Sequence, residues 1–158
     1  APCGALCQKR RTIMERKIDI GERLSELLSE NDISAEALAE ELGVNASTVR
    51  RWKRGAKYMR LGNAVAIANR FGCSLEFLTG RSDTFIDFSP HPAPPFYPHL
   101  RELMKEKGIS RNRINRETHI RSSHFVDWSK GADPNITSAL ELADYLDVSL
   151  DILTGRDR

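Results

Sequence analysis

Residues 34–55, SAEALAEELGVNASTVRRWKRG, decide the fold of this chain because they encode two short helices joined by a tight turn. Ser34 is a good helix N-cap, and apolar residues follow it at helical spacing. Gly43 lies at the corner, where a glycine adopts a positive φ most easily. Asn45 then caps the second helix. The pattern predicts that the second helix crosses the first closely and presents its polar face outward.

That outward face is basic. No acidic residue stands between positions 50 and 60, and such a patch is an electrostatic footprint for phosphate. An ordinary solvated helix face is the alternative, but it does not explain the turn beside it. A basic helix laid across another is the geometry of a DNA-reading helix-turn-helix. The basic residues are Arg50, Arg51, Lys53, Arg54, Lys57 and Arg60.

Residues 20–81 resemble the Cro/cI-type (XRE-like) helix-turn-helix family. The family pattern has small, turn and apolar residues at fixed positions, and this sequence has the matching residue type at all of these positions together. The alternative is a helix-turn-helix used only as a packing module. The residues that carry the resemblance are Leu38-Ala39, Leu42-Gly43-Val44, Ser47, Val49 and Arg51-Trp52-Lys53-Arg54-Gly55.

The resemblance implies which residues meet DNA. Arginine is the natural bidentate reader of guanine, so Arg50 or Arg51 is the first candidate for specificity. The expected base-reading residues are Ala46, Ser47, Arg50 and Arg51. The expected phosphate contacts are Asn45, Thr48, Lys53, Arg54, Lys57, Tyr58 and Arg60. Of these, Asn45 is a helix cap first and a phosphate contact second.

Three further helices complete a five-helix unit: one over about residues 19–31, one over 61–71 that ends at Gly72, and a short one over 75–78 that Ser74 caps. Residues 82–95 are rich in proline, which favours an extended linker. Phe85, Ile86 and Phe88 are too apolar for an inert spacer, so we expect them to dock on a domain or a partner chain.

The unit repeats from residue 96 onward at an offset of 76, which falls to 75 after Leu61. Trp52 returns as Trp128, and the run 78–81, LTGR, returns as 153–156. We therefore predict an all-α protein of two five-helix Cro/cI-repressor-like helix-turn-helix domains joined by a Pro-rich linker. The expected divisions are a basic N-terminal arm over 1–17, a first domain over 18–81, the linker over 82–95 and a second, diverged domain over 96–158.

The second motif has drifted. Asn115 replaces the small Ala39, and His119 replaces the corner Gly43, where a left-handed conformation comes only at a cost. Asp127 replaces Arg51, and a carboxylate there repels phosphate, although it could accept a hydrogen bond from cytosine N4. Either the domain holds DNA mainly through the backbone, or it has turned to dimerisation or partner binding. Its candidate DNA contacts are Arg111, Arg113, Arg116, Arg121, Ser122, Ser123 and His124.

Composition bounds the remaining possibilities. The chain is 40% hydrophobic and no apolar run approaches the roughly 18 residues of a membrane span, so we expect a cytoplasmic protein. The resemblance to the helix-turn-helix family implies a bacterial or phage protein associated with the nucleoid. Three cysteines make no disulfide framework; Cys73 fits a buried small residue, and Cys3 with Cys7 is weak evidence for metal. We expect no cofactor, no metal and no enzyme activity, since no phosphate loop or metal-binding helix motif is present.

Two functions therefore stay open. The first is a sequence-specific regulator of transcription, a repressor, that reads the major groove of double-stranded DNA with the third helix of the first domain. The second is an interaction protein such as an antitoxin, which would bind a protein partner or dimerise through the second domain or the linker.

Overall fold

A computed structural model describes residues 20–55, 58–85 and 91–157, and these residues form α-helices with no β-strand among them. The all-α prediction is thereby confirmed. The basic arm over 1–17, with Cys3 and Cys7, lies outside the described residues. The first group of helices comprises α1 (Ile20–Glu30), α2 (Ala35–Leu42), α3 (Ala46–Arg54), α4 (Leu61–Phe71) and α5 (Leu75–Leu78). The second group comprises α6 (Phe96–Lys107), α7 (Arg111–Glu117), α8 (Ser122–Ser129), α9 (Ile136–Leu146) and α10 (Leu150–Thr154).

Each group closes around the apolar stripes of its own helices. In the first group, Leu24, Leu38 and Val49 are fully buried, and Trp52 is nearly so. On α4, Leu61 and Ile67 are buried, whereas Val65 and Phe71, which the sequence predicts to point inward, are only half-buried. Cys73 is buried, as predicted.

The two groups pack directly on each other, α4 against α9 and α5 against α10. Two backbone hydrogen bonds join them: the Leu61 amide donates to the Pro134 carbonyl, and the Ile136 amide to the Met59 carbonyl, each at 2.8 Å. The bonds flank an antiparallel bridge between Arg60 and Asn135. Because each bond becomes the other on a shift of 75 residues, the junction has the reciprocity of a two-fold interface.

Two arginines 75 residues apart extend this reciprocity. Arg81 pairs with Asp144 at 2.9 Å, and Arg156 donates to the Oδ1 atom of Asn69, the equivalent position, at 3.1 Å. Arg156 is only 1% exposed and pairs with Asp151 at 2.6 Å. Burial lowers the pKa of the Arg156 guanidinium, and Asp151 opposes that shift. The junction is therefore polar at its centre, and its charges are paired there.

The connection between the groups touches both of them. Phe85 lies edge-on to Phe77 with ring centroids 5.3 Å apart, although half of its side chain remains exposed. The His91 amide donates to the Arg156 carbonyl at 3.0 Å, after which an extended run leads into α6. Ile86 and Phe88 lie outside the described residues, so only the Phe85 part of the docking prediction can be placed.

No helix in the described ranges combines the length and the apolar character that crossing a membrane requires.

Candidate nucleic-acid interface

The corner between α2 and α3 forms as the sequence predicts. The Ser34 hydroxyl accepts a hydrogen bond from the Ala37 amide at 3.1 Å and caps α2. Gly43 adopts a left-handed conformation with φ of 69° and ends that helix. The Val44 amide then returns to the Ala39 carbonyl at 3.0 Å. The small residue predicted at the crossing, Ala39, is buried.

The inner face of α3 is anchored against α1 as well as α2. Val49 and Trp52 point into the core. Gly21 of α1 lies so close to the end of α3 that a Cβ atom there would meet the Lys53 carbonyl oxygen at 2.6 Å. This close approach fixes α3 on α1 and leaves the opposite face of α3 to the solvent.

The outer face of α3 carries the predicted contact residues. Arg50, Arg51, Lys53 and Arg54 are all exposed, and so is Ser47. Ala46 and Thr48 are half-buried. Tyr58, in the following loop, is 73% exposed, and Lys57 lies outside the described residues. The structure thus brings the predicted base-reading residues together on one surface helix.

The exposed Arg50 guanidinium forms an ion pair with Glu36 of α2. Hydrogen bonding to the backbone at the start of α2, followed by the pairing with Arg50, lowers the pKa of the Glu36 carboxyl. Sequence reasoning missed this partner, since Glu36 looks like an ordinary first-turn acid that favours the helix dipole. Arg51, by contrast, has no ion-pair partner among the described residues.

Two predicted phosphate contacts need correction or qualification. Asn45 occupies the predicted N-cap position of α3, but its side chain makes no capping hydrogen bond. Arg60 is exposed, yet its Nη1 atom donates to the Asp133 carbonyl at 3.1 Å across the junction. Asp133 also accepts from the Gly62 amide at 2.8 Å, and desolvation raises the pKa of its carboxyl. Nothing in the sequence pattern marked Asp133.

The second corner is built differently from the first. His119 does not take the left-handed conformation of Gly43; α7 ends at Glu117 and Thr118 is extended with φ of −131°. The Thr118 hydroxyl donates to the Ile114 carbonyl at 2.7 Å and accepts from the Ile120 amide at 3.1 Å. The cost expected at His119 is thus avoided, because a threonine side chain replaces the glycine turn.

Several second-motif candidates are engaged within the chain. Asn115 donates to the Ser122 hydroxyl at 2.6 Å, which links α7 to α8. The His124 ring stacks on Trp128 with centroids 5.9 Å apart, and its Nδ1 atom accepts from the Arg121 amide at 2.9 Å. His124 therefore caps and packs, and it does not point freely outward as predicted.

The four candidate arginines of the second group are all exposed. Arg111 lies over the Phe125 ring, 5.1 Å from its centroid, and Arg113 pairs with Glu117 at 3.5 Å. Arg116, Arg121 and Ser123 complete the exposed set. A basic face thus lies on α7 and the start of α8, but two of its arginines, Arg111 and Arg113, contact neighbouring side chains.

Comparison with known proteins agrees with the first motif. Residues 23–80 match the model of the Cro/C1-type helix-turn-helix DNA-binding domain, a segment that includes the α2–α3 corner and the basic face of α3. No curated protein and no solved structure matches the chain. The match does not extend to residues 91–157, so the family membership of the second group stays a prediction. Residues 23–80 are therefore similar to the Cro/C1-type helix-turn-helix DNA-binding domain.

Proposed function

We propose that this protein is a sequence-specific regulator of transcription, a repressor, that reads the major groove of double-stranded DNA with α3. The observation that carries the proposal is the outer face of α3, where four exposed basic residues stand beside a helix crossing that buries the opposite face. A helix held in this way can enter a groove about 12 Å wide without unfolding any part of the core. The role is binding and not catalysis.

On this proposal, Arg50 and Arg51 distinguish bases, helped by Ala46 and Ser47 at the start of α3. Arginine pairs bidentately with the O6 and N7 atoms of guanine. The remaining basic residues of the segment, with Asn45, Thr48 and Tyr58, set the register through phosphate contacts that carry no sequence information.

We further propose that residues 96–157 form a second, diverged domain of the same family and that 82–95 is the linker. The support is that α6 to α10 follow the same order as α1 to α5 and bury Trp128 where the first group buries Trp52. Its exposed arginines on α7 suit phosphate contacts better than base contacts.

The test compares two double variants of the full chain. Arg50→Ala with Arg51→Ala is expected to fold normally and to lose the site that the wild-type chain selects from a random duplex library at about 150 mM salt. Arg101→Ala with Lys105→Ala removes the same two charges from the exposed face of α6 and is the matched control. If the variant with Arg50→Ala and Arg51→Ala still selected the wild-type site, the proposal that α3 reads the bases would be wrong.

An interaction protein, such as an antitoxin that binds a protein partner or dimerises through the second group, is the second candidate. The 42% exposure of Val126 on α8 favours it, because an apolar side chain on that face suits a protein surface. Arg113→Ala with Arg116→Ala separates the two: a shallower dependence of affinity on salt indicates phosphate contacts, whereas an unchanged dependence leaves the second group for a partner.

A further inference from the structure

The helices α3 and α8 sit in the same register of their respective groups. They begin at Ala46 and Ser122, which are 76 residues apart, and the same offset relates the buried pair Val49 and Trp52 to the buried pair Phe125 and Trp128. Because the inner positions correspond, the outer positions correspond as well. The two exposed faces can therefore be compared residue by residue.

That comparison finds the largest difference at the two positions proposed to read bases. Arg50 corresponds to Val126, and Arg51 corresponds to Asp127. All four side chains are exposed, so none of the differences is explained by burial. Ser47 and its counterpart Ser123 are identical, and Arg54 keeps its charge as Lys130, whereas Lys53 becomes the uncharged Ser129.

This replacement reverses the local electrostatics. Two arginines attract phosphate and pair with guanine, whereas a valine offers no donor and a carboxylate repels the phosphates on either side of a groove. The basic residues of the second group stand instead on α7 and at the N-terminus of α8. A duplex under α8 would meet donors suited to its backbone and a base-facing position that cannot pair with the O6 and N7 acceptors of guanine.

The two groups are also held in one chain by a reciprocal junction. The backbone bonds around Arg60 and Asn135, with the pairings of Arg81 and Arg156, occupy the surfaces through which the two groups pack on each other. One chain thus carries both α3 and α8.

We propose that the recognised DNA is a non-palindromic duplex bound by a single chain, in which α3 reads one half-site and Val126 with Asp127 abolish base reading in the other half. This inference rests on the proposed function and adds the symmetry and stoichiometry of the site. Val126 and Asp127 are then specificity-determining residues: they prevent the second group from accepting the half-site of the first.

The test uses four duplexes of equal length with the full chain at about 150 mM salt. They are the selected site, the site with its second half scrambled, the site with its first half scrambled, and a palindrome in which the second half is an inverted copy of the first. We expect dissociation constants within about threefold for the first, second and fourth duplexes, and at least about a hundredfold weaker binding to the third. The mass of the complex should correspond to one chain.

The gain-of-function arm uses Val126→Arg with Asp127→Arg. We expect this variant to bind the palindrome at least about tenfold more tightly than the selected site, because two guanine-reading arginines are restored. Val126→Ala with Asp127→Ala is the control, which removes the repulsion without adding readers and should gain on all duplexes equally. Both variants change the same two exposed residues, so we expect each to fold normally. Thermal unfolding checks this.

Two results would overturn the inference while leaving the proposed function intact: a wild-type chain that prefers the palindrome by tenfold or more, or a wild-type chain that loses tenfold or more when the second half is scrambled. Equal gains by the arginine and alanine variants would overturn the role of Val126 and Asp127. If scrambling the first half costs nothing, the proposed function itself fails, and the two failures are therefore distinguishable.

Discussion

Asp151 and Glu76, 75 residues apart, cap each other's helices across the junction. The Asp151 carboxylate accepts hydrogen bonds from the Leu75 amide at 3.0 and 3.1 Å, and the Glu76 carboxylate accepts from the Leu150 amide at 2.7 Å. Each acid thus lies at the N-terminus of the other group's last helix, where the amides need partners and the dipole favours a negative charge. The first-turn amides of the two short helices α5 and α10 thus find their hydrogen-bond acceptors on each other's side chains.

The two caps are unequal in burial, which gives a first prediction. Asp151→Ala should lower the free energy of unfolding by about 3–5 kcal/mol, because it strands the buried Arg156 guanidinium without its partner. Glu76→Ala removes the cap of α10 and also the pair of Glu76 with Arg81 at 3.0 Å, but both side chains of that pair are partly exposed, so the change should cost only about 1–2 kcal/mol. Urea unfolding monitored by circular dichroism measures both. Equal losses would mean that Arg156 finds another partner.

The ion pair between Glu36 and Arg50 leads to a second prediction. Glu36→Gln should raise the affinity for the selected DNA about two- to fivefold, because the guanidinium no longer has to leave an exposed carboxylate to reach DNA. Glu41→Gln is the matched control: Glu41 is on the same helix and pairs with Arg70 at 2.6 Å, away from α3. Fluorescence anisotropy with a labelled duplex measures both variants. The same gain in both would trace the effect to net charge alone.

Asn45 and Ser34 give a third prediction, because both stand at N-cap positions but only Ser34 makes the capping bond. Ser34→Ala should lower the free energy of unfolding by about 1 kcal/mol. Asn45→Ala should change it by less than about 0.5 kcal/mol and should instead weaken DNA binding, since its amide is left for a phosphate. Thermal unfolding and anisotropy on the same samples separate the two effects. A marked loss of stability in Asn45→Ala would restore its role as a cap.

Cys73 gives a fourth prediction. Burial raises the pKa of its thiol from 9.0 to about 11, with smaller opposing and supporting effects of Arg156 and Asp151. At pH 8 the native thiol should therefore be alkylated by iodoacetamide far more slowly than in urea, because the thiolate is the nucleophile. Mass spectrometry of the tryptic peptide 71–81 follows the reaction.

The same shift fixes a direction for stability against pH. A thiol whose pKa is raised by folding contributes its stability fully below the unfolded value of 9.0, and that contribution is lost as the pH rises toward about 11. Alkaline titration of the unfolding midpoint of wild type and Cys73→Ala should accordingly show a steeper decline for wild type. Parallel curves would contradict the assigned pKa.

Local patterns predicted the elements of the fold well. The bounds of α4 and α5 coincide with the prediction, because Gly72 and Ser74 end one helix and begin the next by local backbone chemistry. The corner at Gly43 was predictable for the same reason. The position of α3 on the surface followed from the spacing of Val49 and Trp52.

Contacts between distant residues were beyond such patterns. Arg156 ends the recurring LTGR run and reads as a surface residue, yet it is buried and donates to Asn69 and to the Cys73 carbonyl, which are 87 and 83 residues away. In the sequence, Gly21 is an ordinary helix residue, and only the structure shows how closely the end of α3 approaches it. Glu36 and Arg50 are 14 residues apart in the sequence, and their pairing likewise depends on the crossing of α2 and α3. Each of these depends on tertiary packing, which periodicity does not encode.

The antiparallel bridge between Arg60 and Asn135 has a consequence for how the protein responds to its own abundance. Separate subunits must meet before they act together, so their activity falls steeply on dilution. Here the meeting surfaces belong to one polypeptide, and their association is independent of its concentration. With the one-chain binding and the regulatory role proposed above, DNA occupancy follows a simple hyperbola with a Hill coefficient of about 1, and the output is graded with gene dosage and has no threshold.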